Sequence, residues 1–190
     1  MNGTLLKERY QIVRKLGSGG FGQTYLAQDR DLPGHPPCVV KQLQPENPDG
    51  GQTAKRLFET EARMLHHLGS HPQIPQLFAH FEENQQFYLV QDWIDGHPLS
   101  QELQPQSRWS EAQVTALLQD VLNILQFVHD NQVIHRDIKP DNLIRRAKDQ
   151  RLVLIDFGAV KQLANLATHP TGRTIKTVAI GTPGYMPSRA

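Results

Sequence analysis

His135-Arg136-Asp137-Ile138-Lys139-Pro140-Asp141-Asn142 is followed, 14 residues after Asn142, by Asp156-Phe157-Gly158 at the end of the apolar run Leu152-Val153-Leu154-Ile155. The residues that define this pattern are His135, Arg136, Asp137, Lys139, Asn142, Asp156, Phe157 and Gly158. At a given register they would meet by chance on the order of once in ten billion. Taken singly, Asp137 and Asp156 read as helix caps or surface carboxylates, and only the joint pattern weighs against that reading.

Outward from this stretch, the chain alternates between helix and strand patterns. Ser110 followed by Gln113 is a capping box, and Val114, Leu117, Leu118, Val121, Leu125 and Val128 repeat at helical spacing. Val133-Ile134, Leu143-Ile144 and Leu152 to Ile155 read as short strands or loops that display polar residues at their ends, the last two parted by the basic turn Arg145 to Arg151. Nearer the start, Tyr10 to Leu16 and Thr24 to Ala27 read as strands joined by the glycine turn Gly17-Ser18-Gly19-Gly20-Phe21-Gly22. Cys38 to Leu43 reads as a third strand. A helix over Ala54 to Leu68 is stopped by Gly69 and Pro72, and Leu77 to Phe81 and Phe87 to Val90 flank the turn Glu83-Asn84-Gln85. Five strands and one helix therefore form a small first lobe.

Composition narrows the function classes. Lys and Arg number 20 against 19 Asp and Glu, a formal net charge of +1, so no general attraction to nucleic acid or anionic membrane follows. Hydrophobic residues at 38% and charged residues at 21% describe a folded chain that needs neither a disulfide framework nor a structural metal. Cys38 is the single cysteine, which fits a reducing cytoplasmic setting, and no run approaches the ~18 apolar residues of a membrane span. His66, His67, His71 and His80 cluster in sequence, but adjacent helix positions point about 100° apart and no cysteine or acidic pair completes a zinc site.

Gly17 to Gly22 fits G-x-G-x-x-G, in which glycines let backbone N–H groups approach phosphate oxygens. A dinucleotide-binding unit requires such glycines to open a helix, whereas strand-like Thr24 to Ala27 follows here. An ordinary hairpin without a ligand is the other reading of the motif by itself.

With His135 to Asn142 and Asp156 to Gly158 added, the chain resembles the protein kinase family, specifically its bacterial (cyanobacterial-like), eukaryotic-type Ser/Thr kinases. Lys139 two residues after Asp137 resembles the Ser/Thr branch rather than the tyrosine branch. The resemblance implies an α+β, bilobal kinase-like fold over residues 9–190: a five-stranded N-lobe with one main helix (9–91), a hinge (92–95) and a partial, mainly helical C-lobe (96–190). It implies Mg²⁺ and ATP as cofactors and protein Ser/Thr hydroxyls as acceptors; the charge balance and the lack of a long apolar run predict no nucleic acid partner and no membrane segment.

Phosphoryl transfer asks mainly for positioning and charge neutralisation, which explains these residue types. By resemblance, Asp137 is the catalytic base and Lys139 stabilises the transferring phosphoryl. Asn142 and Asp156 supply the hard oxygen ligands that Mg²⁺ prefers. Leu16, Gly17, Ser18, Gly19, Gly20, Phe21, Gly22, Gln23 and Thr24 cover the nucleotide, and Lys41 reaches its phosphates. Glu61 is chosen as the helix partner of Lys41 over Glu59, which points to another side of the helix. Asp92 and Ile94 bind adenine beside Gln91 at the gatekeeper place, and Leu16, Thr24, Val39 and Ile144 sandwich the base. Thr24 replaces the usual valine.

The resemblance also locates a departure. Gly181 to Met186 resembles the stretch before the family's A-P-E signature, yet Pro187-Ser188-Arg189 occupies that signature, with Arg189 where glutamate is expected. The expectation is a kinase truncated near this point, with a patch among Leu117, Leu118, Leu122, Ile124 and Leu125 left open, self-association, and phosphate transfer that is weak or absent. A catalytically impaired nucleotide-binding or regulatory fragment is the alternative reading. Thr174 or Thr177 is expected to accept a regulatory phosphate that pairs with Arg136.

Overall fold

The computed structural model describes residues 1–19, 22–43, 51–103, 108–158 and 161–162. The chain divides into two compact units: Met1–His71 with Pro75–Ile94, and Pro72–Ile74 with the chain from Asp95 onward.

The first unit is one antiparallel sheet carrying one helix. Its strands are β1 (Leu5–Leu6), β2 (Tyr10–Gly19), β3 (Gly22–Asp29), β4 (Pro37–Leu43), β5 (Leu77–Glu83) and β6 (Gln86–Asp92), in the order β1-β2-β3-β4-β6-β5. The sheet thus has six strands where five are expected from the pattern, because the two-residue β1 adds to the edge through Leu5↔Gln11 and Leu6↔Tyr10. Asn84 and Gln85 both take left-handed backbone at φ 50° and 60°, the two-residue turn whose twist suits a hairpin.

Strand alternation sorts the side chains of β4. Cys38 and Val40 enter a cluster with Leu6, Tyr10, Ile12, Tyr25, Ala27, Tyr88 and Val90. Leu43, on the other face, packs with Phe58, Ala62, Phe87 and Leu89, which joins the sheet to α1 (Gly51–Leu68). Lys41 lies two residues before Leu43 and shares that face. In α1 the buried positions Phe58, Glu61, Ala62, Leu65 and Leu68 recur at helical spacing, whereas Glu59 is exposed.

The second unit, in its described part, holds one long helix, two single 3-10 turns and two small sheets. Helix α2 (Glu111–Asp130) starts at Ser110, whose Oγ accepts from Gln113 N while its own N–H donates to Gln113 Oε1 at 2.8 Å. Strands β7 (Gly96–Pro98), β9 (Leu143–Arg146) and β10 (Leu152–Leu154) form a sheet ordered β10-β9-β7, and β8 (Val133–Ile134) pairs with β11 (Lys161–Gln162). Ile124 and Val128 of α2 are buried along with Val133, Leu143, Leu152, Val153, Leu154 and Phe157. The apolar patch expected on α2 is therefore narrower: Leu118 and Leu122 are 54% and 61% exposed, Leu117 and Leu125 are half-buried and Ile124 is buried. None of the described helices is long and apolar enough to cross a membrane.

Candidate functional site

In the first unit, the face shared by Lys41 and Leu43 carries several of the residues singled out from sequence, among them Gly17, Gly22, Thr24 and Val39. Gly17 is the cross-strand neighbour of Thr24, Thr24 of Lys41, and Val39 of Gln91, so these residues line rows of one sheet. Lys41 Nζ stands 2.8 Å from Glu61 Oε1 and 3.0 Å from Oε2, and Glu61 is 1% exposed. The structure thus sets Glu61, not the exposed Glu59, against Lys41. A carboxylate buried this deeply is tolerable because the ammonium and its hydrogen bonds offset the desolvation.

Gly22 shows why glycine is needed in this turn. Its φ is +142°, and a side-chain carbon there would lie 1.9 Å from the Gln42 carbonyl oxygen. At Gly17 such a carbon would meet nothing within 4 Å among the described residues, which leaves room over that backbone for a ligand. Leu16, Gly17, Ser18 and Gly19 lie on β2, and Gln23 on β3 has its Oε1 held by Tyr25 Oη at 2.7 Å. Gly20 and Phe21 lie outside the described residues. Asp92 is fixed twice by Gln76, its N–H donating to Gln76 O and its Oδ2 accepting from Gln76 N, both at 3.0 Å. Ile94 is half-buried at the end of this unit.

The second unit gathers its polar residues in a loop. Asp137 Oδ2 lies 2.9 Å from Lys139 Nζ and accepts from Asn142 Nδ2 at 3.0 Å, and the same Nδ2 donates to Asp137 O at 2.8 Å. Asn142 in turn meets the strand end, because Ile155 N donates to Asn142 O at 2.9 Å. Asp137, Lys139 and Asn142 are thereby brought together, one residue from Asp156. Ile144, on β9, belongs to this unit as well.

His135 is the buried pivot of the loop. Asp137 N donates to its Nδ1 at 3.3 Å, so that nitrogen carries no proton, and Nε2 is the one that donates to Ile155 O at 3.1 Å. The ring meets Phe157 edge-on at 4.9 Å. Arg136 and Asp156 take left-handed backbone at φ 70° and 65°, which costs about 1–2 kcal/mol for a residue with a Cβ. Such conformations persist where the surroundings determine them.

The donor set suits Mg²⁺. Both hydrogens of the Asn142 amide group face Asp137, which leaves Oδ1 as an acceptor, and Asp156 adds a carboxylate. No group of three or more His, Cys, Asp or Glu suited to a metal occurs among the described residues. One carboxylate and one amide oxygen match a cation that keeps waters and takes its remaining ligands from phosphates, rather than one bound in an all-protein cage.

The protein kinase domain family matches residues 10–190. The chain belongs to the protein kinase family. It is 48% identical over 187 residues to "Serine/threonine-protein kinase C" of Synechocystis sp., covering 97% of this chain and 35% of that protein. It is 47% identical over 187 residues to "Serine/threonine-protein kinase PknA" of Nostoc sp., covering 97% and 33%, respectively. Against "Probable serine/threonine-protein kinase YbdM" of Bacillus subtilis the identity is 36% over 166 residues, covering 85% and 61%. This kinase-family chain spans about a third of the length of the first two relatives. ATP and Mg²⁺ are the usual cofactors of protein kinases, and proteins are their usual substrates.

Sequence patterns do not disclose some of the polar contacts that hold each unit together. Gln73 and Asp120, bound to each other at 2.7 Å, sit in a loop and on a helix with no spacing signal between them. Arg9 and Asp29, paired at 2.7 Å, are likewise ordinary charges until the sheet forms.

Proposed function

We propose that the chain is the catalytic region of an ATP-dependent protein serine/threonine kinase, with lobes 9–91 and 96–190 joined by 92–95, acting in the cytoplasm. The observation that carries the reading is the Asp137 carboxylate held between Lys139 Nζ and Asn142 Nδ2.

In the first unit, Lys41, oriented by Glu61, would pair with the α- and β-phosphates of ATP, while residues 16–24 would cover the nucleotide and Asp92 and Ile94 would bind adenine through backbone groups. Leu16, Thr24 and Val39, with Ile144 of the second unit, would flank the base. In the second unit, Asn142 Oδ1 and the Asp156 carboxylate would hold Mg²⁺, which when bound neutralises phosphate charge. Asp137 would orient a Ser or Thr hydroxyl and accept its proton as the hydroxyl oxygen bonds to the γ-phosphorus and the bond to the β-phosphate oxygen breaks. Lys139 would stabilise the charge on the transferring phosphoryl. Regulation would act through a phosphate on Thr174 or Thr177, which lie outside the described residues, paired with Arg136.

The test is transfer of labelled phosphate from ATP to a generic basic protein. Transfer by the native chain and its loss in Asp137→Asn are expected. Equal transfer by both would remove Asp137 from the reaction, and none by either would favour a nucleotide-binding or regulatory role.

A further inference from the structure

Strand β10 runs into Asp156, and its two edges are held differently. On one edge it pairs with β9 through Leu152↔Arg145, Val153↔Ile144 and Leu154↔Leu143. On the other edge its peptide groups meet two side chains and a loop rather than a strand. Leu152 N donates to Asp120 Oδ2 at 2.7 Å, Leu152 O accepts from Gln73 Nε2 at 2.9 Å, and Leu154 N donates to Gln73 O at 2.9 Å. Gln73 Nε2 also donates to Asp120 Oδ1 at 2.7 Å, and Gln73 Oε1 accepts from Arg151. Arg146 seats the same loop by donating to Pro72 O at 2.8 Å. All of these residues belong to the second unit.

Gln73 is 1% exposed, and a polar side chain buried to that degree is stable only with its hydrogen bonds made. Both atoms of its amide group are engaged on or beside β10, and both oxygens of Asp120 are as well. The strand is thereby clamped two residues before Asp156, whose left-handed backbone requires fixed flanks. Downstream of Asp156 the buried Phe157 ring serves as the other anchor.

We infer that Gln73 and Asp120 are positioning residues for the metal-binding carboxylate of Asp156, acting through β10. The inference rests on the reading of Asp156 as a metal ligand. Groups that orient a ligand without touching the metal commonly set its affinity by one to two orders of magnitude.

The test is Mn²⁺ binding to the protein in the presence of ADP, followed by electron paramagnetic resonance, for Gln73→Met, Asp120→Asn and Asp156→Ala. Metal-free ADP affinity and amide hydrogen exchange are measured on the same samples. Gln73→Met is expected to weaken Mn²⁺ binding about tenfold while metal-free ADP affinity stays within about twofold. Exchange at Leu152 and Leu154 should accelerate in the same variant. Asp120→Asn, which can no longer accept from both Gln73 and Leu152, is expected to behave alike and serves if Gln73→Met does not fold. Unchanged Mn²⁺ affinity in the folded variants, with binding abolished in Asp156→Ala, would overturn the positioning role. Equal losses of Mn²⁺ and metal-free ADP affinity would overturn it too, because they report general loosening. Mn²⁺ binding that survives Asp156→Ala would overturn the metal-site reading itself and this inference with it.

Discussion

The Lys41–Glu61 pair and the Asp137–Lys139–Asn142 cluster have similar ion-pair distances, 2.8 and 2.9 Å, but they are built in opposite ways. Lys41 and Glu61 come from a strand and a helix, and their contact exists only because Leu43, Phe58, Ala62 and Leu89 pack between sheet and helix. Asp137, Lys139 and Asn142 lie within one short loop, closed by its own hydrogen bonds and by the backbone of Ile155. The first arrangement ties the ion pair, and any binding it serves, to the integrity of a hydrophobic core. The carboxylates differ most in burial: the Asp137 side chain is 15% exposed, that of Glu61 1%, while Lys41 and Lys139 are both partly open. Substitutions in the first region should therefore disturb stability and binding together, whereas those in the second should disturb chemistry with little effect on folding.

The largest stability effect is expected at Lys41. Lys41→Met leaves the Glu61 carboxylate buried without its ammonium partner, and breaking a buried pair in this way costs about 3–5 kcal/mol. Adding Glu61→Gln should recover most of the loss, because an amide is far less costly to bury than a charge. Urea denaturation of the two single variants and the double variant reads both effects. Additive losses would show that the pair is not a coupled unit.

A smaller effect is expected at Asp29, which accepts two hydrogen bonds from the Arg9 guanidinium, at 2.8 and 2.7 Å. Asp29→Asn should cost about 1.5–3 kcal/mol, the range for hydrogen bonds to charged groups. The Arg9 hydrogen bonds hold the Asp29 pKa below its ordinary value. A carboxylate depressed in this way contributes its full stability above the unfolded carboxylate pKa and loses it as pH falls through the folded value. The acid limb of a stability–pH curve should therefore flatten in Asp29→Asn. An unaltered limb would assign the acid sensitivity to other groups.

How much of this was legible in the sequence depended on whether the signal was local. The capping box at Ser110 and Gln113 forms where its spacing predicts, and the β4 pattern around Cys38 to Leu43 does as well. The motifs at His135 and Asp156 pointed to the kinase family because residue types at short spacings carry them. The strand β2 is longer than its apolar pattern, running on through Gly17, Ser18 and Gly19. Glycines usually punctuate strands, but here the register Gly17↔Thr24, Ser18↔Gln23 and Gly19↔Gly22 keeps the pairing. The helical spacing of α2 does not show which apolar residues are covered, and by spacing alone the buried Ile124 falls with the open Leu118 and Leu122. The clamp of Gln73 on Asp120 and Leu152 joins residues 47 and 79 apart, and only the folded unit brings them together.

The smallest effect is expected at Tyr10, also in the first unit. Its hydroxyl is buried with no hydrogen-bond partner among the described residues, while its ring stacks on Phe81 at 6.1 Å. Tyr10→Phe keeps the ring and removes an unsatisfied polar atom, so thermal melting should be unchanged or raised, by no more than about 1 kcal/mol in stability. A clear loss would mean that the hydroxyl has a partner, such as a bound water.

The most direct test of the contrast measures nucleotide affinity and phosphate transfer on the same preparations of the native chain, Lys41→Met and Asp137→Asn. Lys41→Met is expected to weaken Mg-ATP binding about tenfold through loss of a charge-assisted contact to phosphate. Asp137→Asn is expected to keep the native affinity and melting temperature while transfer falls about 100- to 10,000-fold. Native-level transfer by Asp137→Asn, or undiminished nucleotide affinity in Lys41→Met, would contradict the account.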